Sequence, residues 1–175
     1  SKSAVIALNK AADMARRFDA KLHAVYVHSN GEGNVSDMKS AVDTVGFNMG
    51  LDIEFIDRTG KVYTEIISLE REIGANIVIV GTHGDQGWQP FWMGSNAFRI
   101  ASSANCPVIT IQETTKENSL TDILLPVDDD STTRQKVPYA AMMAKAYNAT
   151  VHVFSVTKGS GSTTKTRLHA YGKQT

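Results

Sequence analysis

The chain is poor in the residues that usually advertise a specialised protein: 175 positions hold one cysteine, four prolines and 7% aromatic residues. A single cysteine, Cys106, excludes an internal disulfide, and its place beside Pro107 at the head of an apolar run reads as a small core residue rather than a redox group. Eighteen basic and eighteen acidic side chains cancel, and no Lys/Arg block stands out. That balance leaves no field to hold nucleic acid or an anionic membrane surface. No apolar run approaches the roughly 20 residues a membrane helix needs, and no signal-peptide pattern opens the chain. A reducing cytoplasm is the compartment expected on these grounds. Chemistry is equally sparse. No catalytic set of nucleophile, base and orienting acid emerges, and His83 lacks the Cys, Asp or Glu neighbours at ligand spacing that a metal would need.

What is present is alternation. An amphipathic helix over Ser3 to Phe18 places Ala4, Leu8, Ala11, Ala15 and Phe18 at helical spacing. The nearly continuous apolar strand Lys21 to His28 follows, as expected where helices cover both faces of a sheet. A weaker helix spans Ser36 to Met49 and stops at Gly50, and Leu51 to Asp57 alternates as a strand nearer the sheet edge. Val62, Ile66, Leu69 and Ile73 mark a strongly periodic helix closed by Gly74. Strand Asn76 to Val80, helix Ser95 to Ser102 and strand Val108 to Ile111 complete the series. Strands alternating with helices over short connections predict a doubly wound α/β fold, a parallel five-stranded sheet with helices on both faces. Ligands in such sheets sit at the carboxyl ends of the strands, where strand order reverses.

The stretch at that place is the most specific in the chain. Ile77-Val78-Ile79-Val80 runs into Gly81-Thr82-His83-Gly84, and the chain returns at Gly94-Ser95-Asn96, a Gly-x2-Gly-x9-Gly-Ser spacing. It is neither a P-loop nor a dinucleotide fingerprint. Glycines allow main-chain amides to approach phosphate oxygens, and a serine at a helix start can cap free N–H groups or meet an anion. A glycine-rich turn that binds nothing would share the spacing. Followed by Ala104-Asn105-Cys106-Pro107-Val108, the motif resembles that of the universal stress protein family, over most of residues 1 to 112 and again from 121 to about 157. The resemblance implies a Rossmann-like fold, ATP as ligand with Mg2+ in attendance, and a role in stress signalling; a dimer or a pseudo-dimer of repeats is expected because pairing the apolar edge strand Val108 to Ile111 with a copy of itself would bury it. It assigns phosphate and ribose contacts to Gly81, His83, Gly84, Gly94, Ser95 and Asn96, an adenine contact to Val27, and a carboxylate at the end of a first strand to Asp128. Trp88, Phe91 and Trp92 inside the x9 loop are read as a lid, as packing against a helix, or as a partner surface. Two other readings stand beside nucleotide signalling: a nucleotide-free structural dimer, and a slow ATP hydrolase.

The chain also repeats itself. Setting Asn9 against Pro138 brings Ala11, Ala12, Met14, Ala15, Ala20, His23 and Val27 onto Ala140, Ala141, Met143, Ala144, Ala149, His152 and Val156 without a gap. The expected organisation is one domain over 1–112, a polar linker over 113–120, and the start of a second repeat over 121–175. The second copy opens with a strand, Asp122 to Val127, whose counterpart in the first copy would fall before Ser1. The first domain then has an empty central position between the strands Lys21 to His28 and Asn76 to Val80. Unpaired main-chain groups on both sides of such a gap are costly. The expectation is that Asp122 to Val127 fills it, from the same chain or by exchange within a homodimer.

Overall fold

A computed structural model describes residues 2–28, 33–82, 94–115, 120–127 and 134–155, in two compact units, Ser1–Glu117 and Asn118–Thr175. The first unit begins with α1, Lys2–Phe18, which buries Ala7, Ala11, Ala12, Met14 and Ala15. Small side chains on this face let the helix lie close to the strands beneath it. The helix ends where Asp19 adopts a positive φ of 50° and Ala20 donates back to the Ala15 carbonyl at 2.9 Å. Strand β1, Leu22–His28, follows. Helix α2, Val35–Met49, is capped by the Asn34 side chain, which accepts from the Asp37 amide at 3.2 Å, and is closed by Gly50 at φ 65°. The chain then forms β2, Ile53–Thr59, and α3, Val62–Ile73, with Gly74 in the same left-handed conformation. Strand β3, Val78–Thr82, helix α4, Ser95–Ser103, and strand β4, Val108–Gln112, complete the unit.

Pairing is parallel throughout. In β1 and β2 the register runs from Leu22 opposite Ile53 to His28 opposite Thr59, and in β3 and β4 from Val78 opposite Val108 to Thr82 opposite Gln112. The expected α/β organisation is therefore present, but the expected single five-stranded sheet is not. The described strands form separate two-stranded sheets, β1–β2 and β3–β4 in this unit. A ladder needs a neighbour within about 4.8 Å, and among the described residues no strand lies against the second edge of β1 or of β3. Helices hold the two sheets together instead: α1 packs on β1, β3 and β4, α3 packs on β1 and α4, and α1 also packs on α2.

The core of this unit lies under these helices, with Ala12 of α1 and Ile100 of α4 almost wholly buried, and Ile67, Leu69 and Ala97 buried on α3 and α4. Glu70 is buried as well, and its Oε2 accepts from Asn105 Nδ2 at 3.3 Å. Burial pushes the Cys106 thiol up from its ordinary value, and the nearby Glu70 carboxylate adds to the effect. A thiol held protonated is a poor nucleophile; Cys106 itself is only partly buried, at the margin of the core rather than in it as expected.

Strand β3 runs two residues further than the apolar run suggests, so Gly81 is a strand residue facing Ile111. Its missing side chain has a local cause. A Cβ on Gly81 would stand 2.6 Å from the carbonyl carbon and oxygen of Ser3 and 2.9 Å from the Ala4 nitrogen. The first turn of α1 thus lies directly on the strand at this point.

The second unit is β5, Asp122–Val127, α5, Lys136–Tyr147, and β6, Thr150–Ser155, with β5 and β6 parallel and Ile123 opposite Val151. Leu125, Ala140 and Val151 form its buried cluster, with Ile123, Val127, Ala144 and Val153 packed against them. On its open side, His152 Nε2 lies 2.7 Å from Asp122 Oδ1. The His152 hydrogen bond, with help from Thr121, holds the Asp122 carboxyl below the usual carboxylate range.

Two outcomes follow from this geometry. Gly81→Ala should lower the unfolding free energy by about 1–3 kcal/mol in urea titration, because the added methyl must push α1 off β3; unchanged stability would mean that the helix does not pass so close. Because the Asp122 carboxyl is lowered, its contribution is present above the ordinary carboxylate value and is lost as pH falls through the lowered one. Amide exchange at Leu125 should therefore accelerate over that acid range in the parent chain and lose this dependence in Asp122→Asn.

Candidate functional site

Parallel strands joined by right-handed helical crossovers bring every strand end and every following helix start to one edge of the sheet. At that edge β3 ends with Gly81 and Thr82, and the chain resumes at Gly94 to begin α4. Thr82 is buried, and its hydroxyl donates to the Ile111 carbonyl at 3.3 Å, which ties the end of β3 to β4. This hydroxyl is occupied in holding the strand rather than in facing a ligand.

Gly94 occupies the N-cap position of α4, with φ −54° and ψ 150°, and its carbonyl accepts the Phe98 amide at 3.0 Å. No side chain caps the helix. Ser95, expected as the capping residue, is instead the first residue of the helix, and Ser95 and Asn96 are both exposed. The reason is the extended conformation of Gly94, which turns the chain into the helix one residue earlier than the serine would. Neither α1 nor α4 carries an acidic residue in its first turn. Helix starts carry a partial positive charge and unpaired N–H groups, so an uncapped start without acids favours an anion.

The start of α1 was not singled out in the sequence, yet the close pass of Ser3 and Ala4 over Gly81 places it at this same edge. Ser3 is fully buried there. A usable signal was topological: in a parallel sheet any helix start lies at the carboxyl edge, so the helix preceding β1 had to begin near the end of β3. The structure places Gly81 near the end of β3 under Ser3 and Ala4, and Gly94, Ser95 and Asn96 at the start of α4, which packs on β3 and β4. Val27 lies apart from this set in the hydrogen-bonding pattern, half-buried on β1 opposite Arg58. His83, Gly84 and Asp128 lie outside the described residues, as do Trp88, Phe91 and Trp92.

Other polar groups belong to the scaffold. His23 Nδ1 is 2.9 Å from Glu54 Oε2 and His28 Nε2 is 3.1 Å from Asp57 Oδ1, both pairs between β1 and β2. Between α3 and α4 the Arg99 guanidinium lies 4.9 Å from the Tyr63 ring centre. A hydrogen bond with Thr64, then the Arg99 charge, lowers the Tyr63 hydroxyl from its ordinary value. Among the described residues no group of three His, Cys, Asp or Glu side chains could hold a metal ion, and no helix is long and apolar enough to cross a membrane.

Comparison with known proteins gives the architecture its context. A universal stress protein of Methanocaldococcus jannaschii is 26% identical over 129 residues, covering 63% of this chain and 76% of that protein. A Pseudomonas aeruginosa protein of unknown function superposes with a TM-score of 0.70 at 19% identity; the match covers 85% of this chain and 54% of that one. A universal stress protein crystallised in complex with cAMP superposes with a TM-score of 0.56 at 21% identity, over 65% of this chain and 90% of its own. The family model for universal stress proteins matches residues 1–112, and the chain belongs to the universal stress protein family.

Proposed function

We propose that this chain binds an adenine nucleotide, ATP with Mg2+, at the carboxyl edge of β3, and that it acts in stress signalling rather than in turnover. The observation that carries the reading is the uncapped, acid-free start of α4 at Gly94, which follows the carboxyl end of β3 where Gly81 stands. A polyanion placed there would receive main-chain N–H donors and the helix field from the start of α4. The adenine-nucleotide class is supported by the family and by the relative crystallised with cAMP. In this reading Gly81, His83, Gly84, Gly94, Ser95 and Asn96 surround the phosphates and ribose. Val27 offers an apolar side chain to the base, and Asp128 supplies a carboxylate to the sugar.

Binding would bias contacts with a second copy, which is how a site without catalytic groups can transmit a signal. The working form is a dimer of a tandem-repeat protein in the cytoplasm. Tandem repetition is supported by a shared detail. Asp19 and Asn148, equivalent positions of the two copies, both have positive φ, and Ala20 and Ala149 donate to Ala15 and Ala144 in the same way.

Isothermal titration with ATP and Mg2+ should show a saturable, stoichiometric heat, and Gly84→Trp should abolish it with the thermal unfolding curve unchanged. No heat with the parent chain, or unchanged affinity in the variant, would refute the site. Phosphate release followed over hours should stay at the uncatalysed level; steady release would assign the slow hydrolase reading instead.

A further inference from the structure

Helices α3 and α4 pack on one another, and side chains one helical turn apart share a face. On α3, Tyr63, Ile67 and Arg71 form one such row, and Thr64 and Ser68 form a second beside it. On α4, Arg99 and Ser103 stand one turn apart. Tyr63, Thr64, Ile67, Ser68, Arg71 and Ser103 line an open groove of about 420 Å³ between the two helices. Its floor is Ile67, which is 8% exposed, and its rims are the exposed Thr64, Ser68, Arg71 and Ser103. An apolar floor of that size with a few polar groups around it is the usual composition of a small-molecule site.

The charge of this groove has one sign. The Arg99 guanidinium lies 4.9 Å from the centre of the Tyr63 ring, and Arg71 stands two turns of α3 further on. A hydrogen bond with Thr64, then the charges of Arg99 and Lys61, lower the Tyr63 hydroxyl from its ordinary value, so the field at that end is positive. The carboxylates of α3 are directed elsewhere. Glu72 Oε2 takes the Arg58 guanidinium at 2.7 Å, and Glu70 is buried and accepts from Asn105. Glu65 reaches back to Gly60, where a Cβ would stand 2.7 Å from its Oε1. Helix α4 contains no acidic residue. Guanidinium groups beside hydroxyls and an aromatic ring are the donors that recognise an oxyanion carried on a flat apolar body.

We propose that the groove between α3 and α4 is a binding site for a small organic anion, an oxyanion group on a flat apolar body, distinct from the candidate nucleotide site. Arg71 pairs with the oxyanion, and Ser68 and Ser103 donate their hydroxyls to it. Tyr63 and Ile67 take the apolar body, and Arg99 adds its charge at the Tyr63 end. Phosphate and carboxylate share this chemistry, since a guanidinium holds either through two parallel N–H donors. Ser95 begins α4 and Ser103 ends it, so occupancy of the nucleotide site and of the groove is read at opposite ends of one helix.

Phenyl phosphate, benzoate and phenol, each titrated into the full chain and followed by amide chemical shifts, test the site. Phenyl phosphate, benzoate or both should shift Ser68, Arg71 and Ser103 saturably, the tighter of the two identifying the oxyanion. Phenol, which has the ring without the charge, should bind at least about 10-fold more weakly. Arg71→Gln is an exposed change that keeps helix propensity, and it should weaken anion binding about 10-fold with the rest of the spectrum unchanged. Arg71→Lys keeps the charge but not the fork, and should retain part of the affinity. No saturable shift, phenol binding as tightly as the anions, or an affinity indifferent to Arg71→Gln would each overturn the site. Shifts confined to Gly94, Ser95 and Asn96 would overturn it as well, since the anion would then occupy the start of α4 alone.

Discussion

Parallel pairing is the constraint from which the rest follows. Two parallel strands cannot be joined by a tight turn, so each pair here is bridged by a helix: α2 between β1 and β2, α4 between β3 and β4, α5 between β5 and β6. The crossing helices cover the sheets and turn the strands into apolar runs. They also gather strand ends and helix starts at one edge. A polar site at that edge needs no special device; it is where unpaired N–H groups and helix dipoles already collect.

Within that frame one contact does the positioning. Because Gly81 has no side chain, the first turn of α1 can settle onto β3, with Ser3 wholly buried and its carbonyl close to the strand. The same residue carries two demands, a ladder with β4 and room for a helix, and only glycine meets both. Gly94 differs: nothing lies within 4 Å of where its Cβ would stand, so packing does not require a glycine there. Its openness to solvent is what a ligand-facing glycine would show, and it complements the packing role of Gly81.

Much of this was legible beforehand for a physical reason. Helices α1 and α3 have strong periodicity, the left-handed closures at Gly50 and Gly74 fall on glycine, and the apolar runs of β1 and β3 are long enough to exclude loops. The candidate residues Gly81, Gly94, Ser95 and Asn96 were legible too, because their spacing straddles a strand end and a helix start. Local signals did not reveal that β3 continues through Gly81, because a glycine in sequence looks like a turn and only the facing strand β4 keeps it extended. Nor could they reveal the place of Ser3, which depends on a contact between residues far apart in sequence.

The amino-acid sequence by itself determined the fold class and the order of elements, which rest on periodicity and local conformational preference, and the glycine spacing that carries the family resemblance. Tertiary structure alone decided how the strands group. A single five-stranded sheet completed by Asp122 to Val127 was expected, and the described strands instead pair two by two, with that strand laddered to β6. Strand neighbours are chosen by long-range hydrogen bonding, which depends on which other strands are within reach and leaves no mark in the pattern of any one strand.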